Sequence, residues 1–482
     1  MLRTNIIESE SFFSVMSFER FSDNPEGLYY DRFHNDQSIL DYLNQTSDYI
    51  LDWSSLTIDR KRSCLFYKTS SVNSVPVYIL NSAERVKIDW DYSRLLNGHD
   101  PQIDWESTLA HIGGTAPYSP RTLINGLYRS TAGATLVACK DRISLRLPAA
   151  VSKSGPQRLA PGIVPEDLFF KTIKALFEAR PLQRDRTAVE VSGGMDSGLA
   201  ALALAEVLGP GVLSAGAQFS GDMGVAQRAR RQLLCDRGGF DNCELPAHRF
   251  LPFSPCSLRR NRFGVWPQDE TYPEIFETIF SVLAKAGIDT LVSGFGGDEL
   301  YAAYEGEEEN TFDLSNSSNY RYLTDEGRRL AMNALGDYPA GPLQETCLRA
   351  AASRSQRLLR HGIWPVYPYH SPALVDFVSK LPWGFRRDRQ LLRRALTKYS
   401  GSGIFEHDYI KESFEEIALQ GVIENREYLL SAISQSDIMK DDYIRLSELI
   451  KVLSSDRATL SSELNRIFPV LTTCCFFQSS VR

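Results

Sequence analysis

Residues 187–208 read Thr-Ala-Val-Glu-Val-Ser-Gly-Gly-Met-Asp-Ser-Gly-Leu-Ala-Ala-Leu-Ala-Leu-Ala-Glu-Val-Leu. A short β-branched run turns through serine and glycine into an alanine- and leucine-rich stretch with the composition of a buried helix. A strand that turns on glycines into a helix is the opening unit of a parallel α/β sheet. Ser192, Gly193 and Gly194 set nearly bare N–H groups beside the positive end of that helix, where hydrogen bonding and the dipole both favour an anion. The spacing predicts a phosphate cradle edged by Val191 and Ser197. Asp196 is out of place beside phosphate unless a divalent cation lies between the two, so it is read as a magnesium ligand. No Gly-Lys-Ser/Thr closes the loop, which excludes a Walker A site.

About a hundred residues later, positions 291–304 read Leu-Val-Ser-Gly-Phe-Gly-Gly-Asp-Glu-Leu-Tyr-Ala-Ala-Tyr. An apolar strand again runs into a glycine turn and acidic residues. Parallel strands joined by helical crossovers bring their C-terminal ends to one rim, where ligands bind. Gly294, Phe295 and Gly296 are therefore expected beside the first loop, with Asp196 and Asp298 facing one triphosphate through magnesium. A plain glycine turn, followed by acids at a helix N-terminus, is the competing reading of the same residues.

Ser-Gly-Gly-x-Asp-Ser resembles the pyrophosphate loop of the ATP-pyrophosphatase superfamily, and the two loops together resemble the synthetase domain of the asparagine synthetase family. Residues 361–382 look like a degraded form of that family's Pro-Phe-Leu-Asp … Leu-Pro segment. Arg389-Gln-Leu-Leu-Arg393 looks like its Lys-x-x-Leu-Arg, and Lys411-Glu-Ser-Phe414 like its Lys-x-Gly-Phe. The resemblance implies ATP and Mg2+, with Arg389 clamping pyrophosphate and Lys411 stabilising the charge that develops during amine attack.

Full asparagine synthetases begin Met-Cys, and that cysteine frees ammonia from glutamine. This chain begins Met1-Leu2-Arg3 and has its first cysteine at Cys64. Residues 71–86 read as strands with a turn, and residues 122–137 look like a hairpin of the family's glutaminase domain. The implied architecture is α/β: an N-terminal Ntn-hydrolase-like α+β sandwich without its nucleophile over 1–150, a breaker-rich linker over 151–162, and a doubly wound parallel-sheet ATP-pyrophosphatase domain with extra C-terminal helices over 163–482.

A retained scaffold without ammonia supply is similar to the β-lactam synthetases and lasso peptide cyclases of natural-product biosynthesis. These adenylate a carboxylate and let an amine already in the substrate attack it. The expected partners are a small-molecule or peptide carboxylate and other biosynthetic enzymes. Phe295 stands where asparagine synthetases have Glu and the β-lactam enzymes Tyr, so any general base must come from elsewhere. Two other classes stay open: an ammonia-dependent amidotransferase, and an impaired ATP-binding partner protein.

Bulk properties agree with a globular cytoplasmic enzyme. The 482 residues are 43% hydrophobic, and the net charge of −7 gives no reason to expect nucleic-acid binding. No run reaches the roughly twenty apolar residues of a membrane span, and the acidic first thirty residues lack a signal-peptide layout. The eight cysteines form no C-x-x-C pair or metal spacing and are expected to be mostly reduced, with Cys474 and Cys475 packing rather than reacting. Residues 305–310 are a charge run, read as a solvated loop. From about Thr324 the apolar spacing is helical, and those helices are expected to wall the substrate pocket. Tyr301, Tyr304, Trp364, Tyr367 and Tyr369 are the aromatic candidates near it.

Overall fold

The computed structural model describes residues 2–19, 27–32, 51–82, 85–114, 118–139, 142–148, 155–268, 272–301, 320–334, 345–406 and 412–478. The chain begins with ten strands: β1 (Leu2–Glu8), β2 (Phe12–Glu19), β3 (Gly27–Arg32), β4 (Trp53–Asp59), β5 (Cys64–Thr69), β6 (Tyr78–Ser82), β7 (Arg85–Asp89), β8 (Leu127–Arg129), β9 (Thr135–Cys139) and β10 (Arg142–Arg146). Seven of them form one sheet in the order β10-β9-β5-β4-β2-β1-β3, antiparallel except for the β1·β3 pair, and three form a second in the order β7-β6-β8. Tyr67 and Leu136 of the larger sheet pack with Ile79 of the smaller. The period-two alternation of the strands thus buries one face of each sheet against the other.

One sequence expectation changes here. The segment 122–137 is not a hairpin: β8 pairs with β6 in the small sheet while β9 pairs with β5 and β10 in the large one. The turn between β8 and β9 therefore carries the chain from one sheet to the other. Most of the cysteines are reduced, as expected, but Cys64 and Cys139 stand directly opposite each other on β5 and β9 and form a disulfide. Residues facing across an antiparallel pair come within bonding reach however far apart they lie in sequence. The other six are free thiols, and Cys474 and Cys475 are buried.

Beyond residues 155–164, which are largely exposed and without regular strands or helices, the sheet becomes parallel. Strands β11 (Thr187–Glu190), β12 (Leu213–Gln218), β13 (Asp241–Pro246), β14 (Thr290–Val292) and β15 (Trp364–Val366) lie in the order β13-β12-β11-β14-β15. Alternate residues feed opposite cores. Ala188, Ala215, Ala217 and Leu291 pack with Ile279 and Phe280 of the helix Pro273–Lys285 and with Leu358 of the helix Glu345–Arg360. Val189, Val191, Val292 and Val366 pack with Leu199 of the helix Met195–Leu208, Leu234 of Gly221–Gly238 and Leu391 of Gln390–Ser400. A sheet covered on both faces is the condition under which parallel strands are stable. Met195–Leu208 is apolar on nearly every side and fully buried along most of its length, as a helix of that composition must be. Strand order reverses direction between β11 and β14, which opens a crevice at their C-terminal ends.

The helices Glu415–Glu424, Arg426–Gln435, Leu446–Leu453 and Arg457–Phe476 share one core with Tyr78, Tyr92, Leu109 and Leu127 from the first part of the chain. Polar ties run the same way. Glu19, 3% exposed, accepts from Arg180 Nε and Nη2 at 2.7 Å each, and Asp91 accepts from Gln356 at 2.8 Å and Arg360 Nε at 2.9 Å. No helix among the described residues is long and apolar enough to cross a membrane.

Candidate functional site

The first glycine loop leaves β11 at Val191, whose N–H donates to the Ala215 carbonyl at 2.9 Å. Inside the loop, Ser197 Oγ accepts from the Ser192 N–H at 3.2 Å and Ser192 Oγ accepts from the Gly194 N–H at 3.1 Å, while the two hydroxyls lie 2.9 Å apart. Gly193 has φ +90°, a conformation a side chain would strain. The loop's carbonyls are claimed from outside it. Gln227, fully buried, donates from Nε2 to the Ser192 carbonyl at 2.8 Å and the Ala217 carbonyl at 2.9 Å, and its Oε1 accepts from the Phe219 N–H at 3.0 Å. Arg230, 2% exposed, donates from Nε to the Gly193 carbonyl at 3.0 Å and pairs with Glu412. Anchored carbonyls fix the loop's conformation, in which the Ser192 and Gly194 amides are held by the Ser197 and Ser192 hydroxyls.

The second loop lies directly against the first. A Cβ on Gly294 would stand 2.7 Å from Ser197 Cα, and one on Gly297 would run into the Asp196 carboxylate. Only glycine permits backbone to approach a helix start so closely. Gly296 (φ +92°) rests on His370 and Cys347, whose Nε2 and Sγ are 2.8 Å apart. Burial lowers the His370 pKa to about 4 and pushes the Cys347 thiol up, so both are neutral near pH 7 and the pair is a packed support rather than a thiolate–imidazolium nucleophile. Tyr369, also buried, donates its hydroxyl to the Asp196 carbonyl at 2.8 Å.

Asp196 and Asp298 meet on one cation. Arg389 Nη1 lies 3.1 Å from Asp196 Oδ2 and pairs with Asp298 through the same nitrogen. Arg389 and its neighbour Asp388 both have left-handed backbone, at φ +56° and +51°. Such conformations cost non-glycine residues about 1 kcal/mol or more each and persist where surrounding contacts hold them, often at functional sites. The sequence expectation for Arg389 was a pyrophosphate clamp; here its guanidinium bridges the two expected metal ligands. Two carboxylates are hard oxygen donors of the type Mg2+ takes, but among the described residues no third His, Cys, Asp or Glu joins them, so a metal here would need further oxygens from a bound phosphate or water.

Phe295 is held between aromatic and cationic groups. Its ring lies 6.2 Å from that of Tyr367 and 4.9 Å from the Arg354 guanidinium, which pairs with Glu190 at the end of β11. Burial lowers the Arg354 pKa to about 9, which leaves it charged near neutrality. Tyr301 offers no base in place of Phe295, since burial and the nearby Asp196 raise its hydroxyl well above the ordinary value. Trp364 points elsewhere, donating from Nε1 to Glu19 at 3.3 Å. Lys411, Tyr304 and the charge run 305–310 lie outside the described residues.

Gln227, Arg230, His370 and Cys347 were not singled out from sequence. Gln227 and Arg230 carried one signal: with Arg231 they stand at i, i+3 and i+4 of one helix, a polar stripe where a sheet-covering helix normally presents apolar residues. His370 and Cys347 carried none, being 23 residues apart on different elements.

Strand order and loop placement define the class as an α/β protein with two glycine loops and two acidic residues at a topological switch point. No protein-family model matches the chain, and no curated protein matches it.

Proposed function

We propose that the chain is an AMP-forming, ATP-dependent carbon–nitrogen ligase. A substrate carboxylate attacks the α-phosphate of ATP to give an acyl-adenylate and pyrophosphate. An amine of the same small molecule or peptide then attacks the acyl carbon, expelling AMP and a proton and closing a lactam, as in enzymes resembling β-lactam synthetases or lasso peptide cyclases. One observation carries the reading: the two glycine loops meet at the switch-point crevice and bring Asp196 and Asp298 onto a single cation.

In this reading the loop Ser192-Gly193-Gly194, with Val191 and Ser197 at its edge, binds phosphate, the Ser192 and Gly194 amides exchanging their bonds to the Ser197 and Ser192 hydroxyls for phosphate oxygens. Gly294, Phe295 and Gly296 form the facing wall, and Asp196 and Asp298 hold Mg2+, which supplies charge neutralisation to the phosphates. Lys411 is assigned to the charge that develops during amine attack. Phe295 carries no titratable atom, so the amine proton leaves by another route.

The test follows the nucleotide. Purified protein is incubated with Mg2+, ATP and candidate carboxylates carrying an internal amine, and products are read by mass spectrometry. AMP and pyrophosphate, with a substrate that loses one water and needs neither ammonium nor glutamine, is the expected outcome. Asp196→Asn and Asp298→Asn should each abolish it, and unchanged turnover in both would remove the site assignment.

A further inference from the structure

Arg389 is placed to serve two stages of binding rather than one. We infer that it is a resident counter-ion: its guanidinium occupies the charge position between Asp196 and Asp298, and it must leave both carboxylates before a divalent cation can enter. The inference deepens the ligase reading and rests on those two residues being the metal ligands.

Three observations carry it. One nitrogen, Nη1, serves both carboxylates, so the guanidinium lies between the loops rather than beside either. The carboxylates belong to different loops, Asp196 to the start of one helix and Asp298 to the turn Asp298–Tyr301, and Arg389 ties these two loops together by charge. Asp388 and Arg389 are both left-handed, immediately before the helix Gln390–Ser400, which packs on Met195–Leu208. A backbone held in sparsely populated conformations by contacts is one that can relax when those contacts are exchanged.

The chemistry of the exchange is simple. Two carboxylates brought together repel unless a positive charge lies between them, and the Arg389 guanidinium supplies that charge. When metal and nucleotide arrive together, the carboxylates take the metal and the released guanidinium gains a partner among the phosphates, which it can grip in bidentate fashion. Metal alone offers Arg389 no such partner. The arrangement therefore favours entry of metal with nucleotide over entry of metal by itself, and lowers the apparent affinity for free metal by the fraction of time the carboxylates are open.

The experiment uses Mn2+ as the probe on nucleotide-free protein, with free aqueous Mn2+ followed by electron paramagnetic resonance. Arg389→Asn removes the guanidinium while suiting φ +56°, since asparagine tolerates left-handed backbone. It should bind one Mn2+ about tenfold more tightly than the unaltered chain, and Asp196→Asn in that background should remove the gain. Arg389→Lys keeps a cation in place and should stay near the unaltered affinity. The inference is overturned if Arg389→Asn binds Mn2+ no more tightly, or if Arg389→Lys tightens equally. Equilibrium dialysis of ATP with the unaltered chain is the separate arm. ATP binding without the Mn2+ gain removes only this inference, whereas the Mn2+ gain without ATP binding removes the ligase reading.

Discussion

The two glycine loops reach the same crevice by different means. Loop one, residues 192–197, is held from outside: Gln227 and Arg230 claim its carbonyls by hydrogen bonds from the next helix. Loop two, residues 293–298, is held by absence of side chain: Gly294 and Gly297 let it lie against the start of the helix Met195–Leu208, and Gly296 lets it rest on His370. The first is a polar network that fails by degrees, since each lost bond leaves its partner to find water. The second is a steric fit that fails at once, because backbone has nowhere to move in a close-packed interior.

That contrast breaks most readily at Gly294. Alanine there sets a methyl 2.7 Å from Ser197 Cα, with backbone on both sides of the contact. The expected loss is about 4 kcal/mol, at the upper end for overpacking, measurable by urea unfolding. A variant as stable as the unaltered chain would mean that loop two is not pinned by close approach.

Acid should separate the loops next. Below about pH 6.5 the unfolded chain takes up a proton that folded His370 refuses until about pH 4. The unfolded state therefore binds more protons in that window, and stability falls as pH falls through it. At about 1.4 kcal/mol per pH unit the loss reaches about 3 kcal/mol. Buried His111, with a pKa lowered to about 3, adds a loss of the same sign from the first part of the chain. His370→Gln should flatten the slope between pH 6.5 and 4 without removing the part due to His111, and an unchanged slope would show that His370 is charged or hydrated in the folded state.

How far each loop could be foreseen follows from the same difference. Strand, glycine turn and helix at 187–208 are local in sequence, so the parallel unit was legible there, as was the meeting of two glycine loops at one rim. The N-terminal strands were legible as strands, but not their partners: nothing local in 122–137 says that β8 and β9 join different sheets, nor that Cys64 faces Cys139. The contact of Arg389 with both carboxylates was equally hidden, because 193 residues separate it from Asp196. Its cationic character was readable; its place between the acids depends on two left-handed residues that carry no glycine signal.

The polar support of loop one gives a smaller effect. Gln227→Ala leaves the Ser192 and Ala217 carbonyls and the Phe219 N–H without their buried partner. Water entering the vacated space offsets part of that penalty, so a loss of about 2 kcal/mol is expected by the same denaturation measurement.

Gly193→Ala is the mildest change and the most discriminating. The methyl would stand 3.0 Å from the Gln227 carbonyl and 3.1 Å from Gln227 Cγ, at a φ of +90°. Conformational strain alone predicts a loss of about 1 to 2 kcal/mol. The crowding, however, is partly with a side-chain carbon that Gln227→Ala removes. In the double variant the methyl meets less, and the two losses should sum to more than the combined effect, as expected for residues in direct contact. A coupling of about 0.5 kcal/mol or more would tie the loop's shape to Gln227 itself. Strict additivity would instead mean that Gly193 answers only to its own backbone, and that loop one, like loop two, is set by sterics rather than by the network beneath it.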